Sequence, residues 1–181
     1  MKIIAGNNRG YNIIFPPNKV TRPTASIVKE SLFNIIQFYI NGSDFLDLFS
    51  GSGQIGLEAL SRGAGHVTFV DESKYCKDCL VKNLKKMKIE NNFTIVTSDV
   101  FYYLLYCQKL FDIIFLDPPY NKDLSKNVLK RVANNIKKNG IVIVETEKIE
   151  YLDENYNGLK IVKQYIYGRK KLTIYKLNNC E

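Results

Sequence analysis

The chain is nearly without histidine, sparing with cysteine and short of acid. Its single histidine, His66, gives no basis for a Ser-His-Asp triad or a histidine-built metal site. Cys76, Cys79, Cys107 and Cys180 are too few and too scattered for the disulfide framework of a secreted scaffold. Cys76 and Cys79 do form a C-x-x-C, but in "SKYCKDCLVKNL" the pair falls on one face of an expected helix. A redox motif or half a zinc site is the alternative reading, and no second C-x-x-C follows to complete it. No metal is expected. No apolar run approaches the roughly 20 residues of a membrane span. The opening "MKIIAGNNRGYNIIF" lacks the apolar core of a secretory leader, so a cytoplasmic location is expected. Repeats, low-complexity tracts and Pro/Gly-rich linkers are also missing.

With 181 residues, 45% hydrophobic and 24% charged, the chain suits one well-filled soluble domain rather than two. The shortage of acid, 18 Asp and Glu against 26 Lys and Arg, leaves a net charge of +8. Such a surface suits a polyanionic partner such as nucleic acid, because it recruits phosphates and releases counterions. It also suits solubility alone, and charge does not separate the two.

What is present is an alternation. "KIIAG" and "YNIIFP" around "NNRG" predict a β-hairpin over residues 1–20, and "TASIVKESLFNIIQFYI" predicts a helix capped by Thr24. The strand-like runs "DFLDLF", "HVTFVD", "FTIVTSD", "FDIIFLD" and "IVIVETE" then alternate with helical ones. Those are "QIGLEALSRG" ending at Gly63, "SKYCKDCLVKNLKKMKI", "VFYYLLYCQKL", and "LSKNVLKRVANNIKK" ending at Gly140. Apolar strands separated by helices imply parallel strands buried on both faces. "GLKIVKQYIYGRKKLTIYKL" predicts a closing hairpin around "YGRK". The expected fold is a doubly wound, Rossmann-like α/β sheet, mostly parallel. A small N-terminal hairpin (1–20) precedes the core (21–181), all within one domain.

Two motifs carry chemistry. "FLDLFSGSGQIG" sets Gly51, Gly53 and Gly56 between a strand and a helix, where backbone N–H groups can approach a ligand. Asp71 ends the next strand, where an acid accepts from ribose hydroxyls. The loop fits either a nicotinamide dinucleotide or S-adenosylmethionine. Asp47 favours the second, since a carboxylate suits an ammonium and repels a pyrophosphate. Asp99 in "TSDV" suits an adenine amino group or a helix N-cap. The other motif is "FDIIFLDPPY". Asp117 is carried to a strand tip, and Pro118 and Pro119 freeze the backbone behind it. A carboxylate and a fixed carbonyl suit an –NH2 group, and Tyr120 offers a face for a planar ring.

In this order the motifs resemble a class I S-adenosylmethionine-dependent methyltransferase with an amino-methylating (D/N)PP(Y/F) motif. More narrowly, "KIIAG…RG", "TRPTASIVKESLFNII", "FLDLFSGSGQIGLEALSRGA", "VDES", "TSD", "FDIIFLDPPY" and "YGRKKLTIYKL" resemble the bacterial small-subunit ribosomal RNA guanine-N2 methyltransferase D family. The resemblance spans nearly the whole chain. It implies cofactor contacts at Thr24, Asp47, Phe49, Ser50, Gly51, Gly53, Asp71, Asp99 and Val100. It implies a base site of Asp117, Pro118, Pro119 and Tyr120; Phe49 reads either as a further stacking face or as core. It implies a guanine of 16S rRNA in the small ribosomal subunit as target; a monomer is expected. Lys2, Arg9, Lys19 and Arg22, with Arg169, Lys170 and Lys171, are the candidate RNA contacts, although "NNRGYNII" and "FPPNKVTR" hold fewer basic residues than an RNA-gripping arm should. The lysines of "VKNLKKMK" read as a solvated helix face. Adenine-N6 methylation of DNA, glutamine-N5 methylation of protein, a dinucleotide-dependent oxidoreductase and a non-catalytic RNA binder remain alternatives.

Overall fold

The computed structural model describes residues 1–16, 26–119 and 123–178. Helix α1 (Ser26–Ile35) is followed by β1 (Asp44–Leu48), α2 (Gln54–Ser61), β2 (His66–Asp71), α3 (Lys74–Lys86), β3 (Phe93–Thr97) and α4 (Val100–Tyr106). Then come β4 (Phe111–Leu116), α5 (Leu124–Val132), β5 (Ile136–Glu147), β6 (Asn155–Tyr156), β7 (Leu159–Tyr167) and β8 (Lys170–Leu177). The eight strands form one sheet in the order β3-β2-β1-β4-β5-β8-β7-β6. Strands β1 to β5 pair in parallel, while β8 and β7 add antiparallel to β5 as the expected closing hairpin. Apolar side chains fill both faces. One layer gathers Phe33, Phe45, Phe69, Ile113, Phe115, Ile143 and Leu172 beneath α1, α2 and α3, and the other gathers Leu46, Leu48, Ile114, Leu116, Val142, Val144 and Tyr175 beneath α4 and α5. The doubly wound reading therefore holds. Among the described residues no helix is long and apolar enough to cross a membrane.

Several expected elements differ: α1 ends at Ile35 and not Ile40, and α4 at Tyr106 and not Leu110. The helix read through "ANNIKK" stops at Val132, with Ala133 as its C-cap, and β5 starts at Ile136. Asn135 ends it by donating from Nδ2 to the carbonyls of Cys107 (2.9 Å) and Lys109 (3.2 Å). Gly140 is not a helix stop. It lies within β5 where the register against β4 shifts, and a Cβ there would come within 2.9 Å of the Asp112 carbonyl. The N-terminal hairpin is looser than expected. Among the described residues its arms run antiparallel with only an isolated bridge, Lys2 to Asn12. The expected Thr24 cap lies outside the described residues.

What holds that N-terminal segment down is a buried carboxylate. Glu58 on α2 accepts from the N–H groups of Ile4 (2.8 Å) and Ala5 (3.0 Å), from Lys29 Nζ on α1 (3.0 Å) and from Arg62 Nε (2.9 Å). Lys29 and Glu58 side chains are both 0% exposed, and Lys29 also donates to the Lys2 carbonyl at 2.6 Å. Burial pulls the Lys29 ammonium below the ordinary lysine range despite the opposing pull of Glu58. Removing one partner of such a pair strands the other. Glu58→Ala is expected to lower stability by about 3–5 kcal/mol in urea unfolding, because it orphans Lys29 and two backbone N–H groups. A loss under about 1 kcal/mol would show that the pair is not carrying the N-terminal segment.

Candidate active site

Strand order reverses between β1 and β4, which lie side by side with Leu48 opposite Leu116. The segments leaving those strands therefore emerge next to each other at the carboxyl edge of the sheet, where open α/β sheets bind ligands. From β1 comes the glycine loop, and from β4 comes Asp117-Pro118-Pro119.

The loop is tightly wound. Phe49 takes φ 59°, Gly51 φ 53° and Gly53 φ 81°. A left-handed Phe costs roughly 1–2 kcal/mol, which the surroundings must offset. Two carboxylates do much of this. Asp47 Oδ2 accepts from the Gly56 N–H at 2.9 Å, and Asp71 Oδ2 accepts from the Gly51 N–H at 2.8 Å. Asp71 Oδ1 also accepts from Ser73 N–H at 2.9 Å, and the Ser50 N–H donates to the Val70 carbonyl at 3.1 Å. Gly56 lets α2 lie against β2, since a Cβ there would sit 2.2 Å from the Phe69 ring.

Asp47 is 2% exposed. Burial, with the nearby Asp71 charge adding to it, pushes its carboxyl up to about 7 against the Gly56 hydrogen bond. Its immediate partner is thus the backbone of the first turn of α2. Asp71 is half-buried and lines a cleft with Ser50, Gly51, Ile95, Val96 and Thr97. A carboxylate oxygen carrying one hydrogen bond keeps a second lone pair, so Asp71 still has acceptors for hydroxyls. Asp99 is exposed and caps α4, accepting from Tyr102 N–H at 3.0 Å through Oδ1, while Val100 beside it is buried. The residues expected around a cofactor thus line one edge: Phe49, Ser50, Gly51, Gly53, Asp71 and Asp99 follow the neighbouring strands β1, β2 and β3.

Asp117 is half-buried at the tip of β4, Pro118 is buried and Pro119 exposed. Tyr120, Thr24, Lys19 and Arg22 lie outside the described residues. The other basic candidates divide. Lys2, Arg9 and Arg169 are exposed. Lys170 makes a 2.7 Å ion pair with the buried Glu145, and Lys171 is 8% exposed with Nζ donating to the Glu150 carbonyl. Both lysines are thus engaged by the protein itself, leaving Arg169 as the exposed member of that cluster. Cys76 and Cys79 are free and buried on the inner face of α3, and no metal-binding cluster occurs among the described residues.

One positioning residue escaped the sequence reading. Asn83 on α3 is fully buried. It accepts from Ile14 N–H (2.8 Å) and donates to the carbonyls of Ile14 (3.0 Å) and Ser52 (3.2 Å), joining the N-terminal segment to the glycine loop. Its spacing after Cys76, Cys79 and Leu80 places it on the helix's buried stripe, a signal hidden by the lysines around it.

Residues 1–176 match the model of a family described as conserved hypothetical protein 95. The chain is 38% identical over 167 residues to ribosomal RNA small subunit methyltransferase D of Haemophilus influenzae, covering 88% of this chain and 86% of that protein. It is 36% identical over 176 residues to the protein of the same name from Buchnera aphidicola, covering 96% and 85%. The solved structure of yhhF from Escherichia coli superposes with a TM-score of 0.88 at 29% identity, covering 98% of this chain and 97% of that one. By its motifs, its sheet and these likenesses, the chain belongs to the conserved hypothetical protein 95 family, the family of the small-subunit ribosomal RNA methyltransferase D proteins.

Proposed function

We propose that this protein methylates the exocyclic N2 amino group of a guanine in 16S rRNA within the small ribosomal subunit, in the cytoplasm. S-adenosyl-L-methionine would be the donor, supplying an activated methyl on a sulfonium. The observation that carries the reading is the adjacency of the glycine loop and Asp117 at the neighbouring tips of β1 and β4.

The residues suit such a donor. The cleft beside Gly51 and Asp71 offers ribose acceptors, Asp99 lies beyond it for an adenine amino group, and Asp47 keeps a carboxylate behind the loop where a cation would be drawn. An exocyclic amine is a weak nucleophile because its lone pair is delocalised into the ring. Asp117 and the Pro118 carbonyl accept its two hydrogens, which localises that lone pair and aims it across the crevice. When bound, S-adenosylmethionine would supply its methyl carbon to the amine nitrogen as the carbon–sulfur bond breaks, leaving S-adenosylhomocysteine, and the surplus proton would pass from the nitrogen to solvent. Asp117 orients the amine; strong general-base catalysis is not required of it. Tyr120 would stack the base, which must leave its own helix at a cost of a few kcal/mol.

The test is methyl transfer from labelled S-adenosylmethionine to unmethylated small subunits, followed by nucleoside analysis. N2-methylguanosine is expected. Label in N6-methyladenosine or in a protein glutamine would instead establish one of the two alternative chemistries, and no transfer to RNA would overturn the proposal. Asp117→Ala should lower the rate by about 100-fold or more while leaving S-adenosylhomocysteine affinity within threefold. An unchanged rate would remove Asp117 from the reaction.

Asp47 supplies a pH signature. Its carboxyl binds a proton up to about pH 7 in the folded protein, whereas the unfolded chain releases it near 3.8. The native state is therefore favoured at low pH by this group and loses that advantage as pH rises from 4 to 7. A bound cation pulls the other way, towards the ionised form. Affinity for S-adenosylhomocysteine, measured by calorimetry, should rise from pH 5.5 to 8 in the wild type and stay flat in Asp47→Asn. Equal slopes would show that Asp47 does not sense the ligand's ammonium.

A further inference from the structure

Charge is segregated along the chain in a way the net value conceals. Residues 155–178 hold six Lys and Arg and no Asp or Glu. That stretch is the β6–β7–β8 unit at one edge of the sheet; β6 covers Leu159 and Lys160, and the Ile161 N–H donates to the Glu154 carbonyl, so among the described residues the outer edge of β7 is open from Val162 to Tyr167.

Register shows which side chains share a face. Tyr165 pairs with Leu172 and Lys163 with Ile174, and these belong to or adjoin the layer beneath α1, α2 and α3. Lys160 pairs with Lys176, and Tyr167 with Lys170, on the same side. Lys160, Lys163, Tyr165 and Tyr167 on β7, with Lys176 on β8, thus form one track. Lys163 Nζ lies 5.0 Å from the Tyr165 ring centroid. Lys176 Nζ lies 3.0 Å from Tyr39 Oη and 5.0 Å from the centre of that ring, beside Phe38, which is 90% exposed. Like charges directly opposite on neighbouring strands repel, as Lys160 and Lys176 do, and no acidic side chain on the track relieves them.

The track also has a direction. Strand β7 runs parallel to β4 through two antiparallel steps, so Tyr167 and the turn bearing Arg169 lie at the same edge as Asp117. Strands β8 and β5 separate them. From Lys176 to Lys170 the track extends about 20 Å.

We infer that this face of β7 and β8 is the RNA-docking surface: a single-stranded stretch flanking the target base runs along it, its phosphates against Lys160, Lys163 and Lys176 and its bases against Tyr165 and Tyr167. The inference rests on the reading of the protein as an RNA methyltransferase. It accounts for the scarcity of basic residues in the N-terminal segment, because the grip lies at the other end of the chain. Interleaved cations and aromatic rings are what a flexible polyanion with planar bases requires.

Filter binding of in vitro-transcribed small-subunit ribosomal RNA across a salt series tests it, alongside methyl transfer to unmethylated subunits. Lys163→Ala with Lys176→Ala should weaken RNA binding and raise KM for subunits roughly tenfold, and should flatten the log-affinity against log-salt slope by about 0.7–1 per lysine. Lys163 is exposed and Lys176 only half-buried, so the fold should survive their loss, kcat and S-adenosylhomocysteine affinity should stay within twofold, and the double arginine variant should restore binding. Unchanged affinity and slope overturn the inference, leaving these lysines as charges that keep an open strand edge from pairing with another chain. Wild-type RNA binding without methyl transfer would instead refute the proposed reaction while the track stands, so the two failures are distinguishable.

Discussion

The parallel pairing of β1 with β4, Leu48 opposite Leu116, is the contact on which the site depends. It follows from apolar strands buried on both faces and from the reversal of strand order at that point. A strand pair fixes the chain ends that leave it to within a few ångströms, so a loop suited to a cofactor and a carboxylate suited to an amine emerge as neighbours. Neither motif needs to reach for the other.

The second constraint is the strain in the glycine loop. A left-handed Phe49 followed by left-handed Gly51 and Gly53 would relax in a free peptide. Here Asp47 and Asp71 hold the N–H groups of Gly56 and Gly51, and Asn83 holds the Ser52 carbonyl. Because Asn83 also clasps Ile14, and Glu58 clasps Ile4 and Ala5, the N-terminal segment and the glycine loop form one mechanically continuous unit. Buried polar groups at this density are costly unless every partner is present, which ties loop shape to the packing of α1, α2 and α3.

Much of this was legible in the sequence. Strand–helix alternation gave the doubly wound sheet, and the placing of "SGSG" and "DPP" after strands put both motifs at neighbouring strand tips, because those signals are local. Longer-range features were not. Asp47 reads as a cofactor contact, and its backbone donor, the Gly56 N–H, is met only when α2 folds back on β1. Gly140 looked like a helix stop, since a glycine after a helical run reads alike whether it ends a helix or relieves a register shift. Lys170 and Lys171 looked free, and only the pairing of β8 with β5 turns them toward Glu145 and Glu150. The sequence holds the lysines and tyrosines of the track but not their common face, which depends on a bulge between Ile161 and Lys163.

The central claim is spatial, and a crystal structure with S-adenosylhomocysteine bound tests it most directly. The account predicts the ligand against Gly51 and Gly53, its ribose hydroxyls on Asp71 and its sulfur facing Asp117 across the crevice. A ligand seated elsewhere, or a sulfur turned away from Asp117, would contradict it.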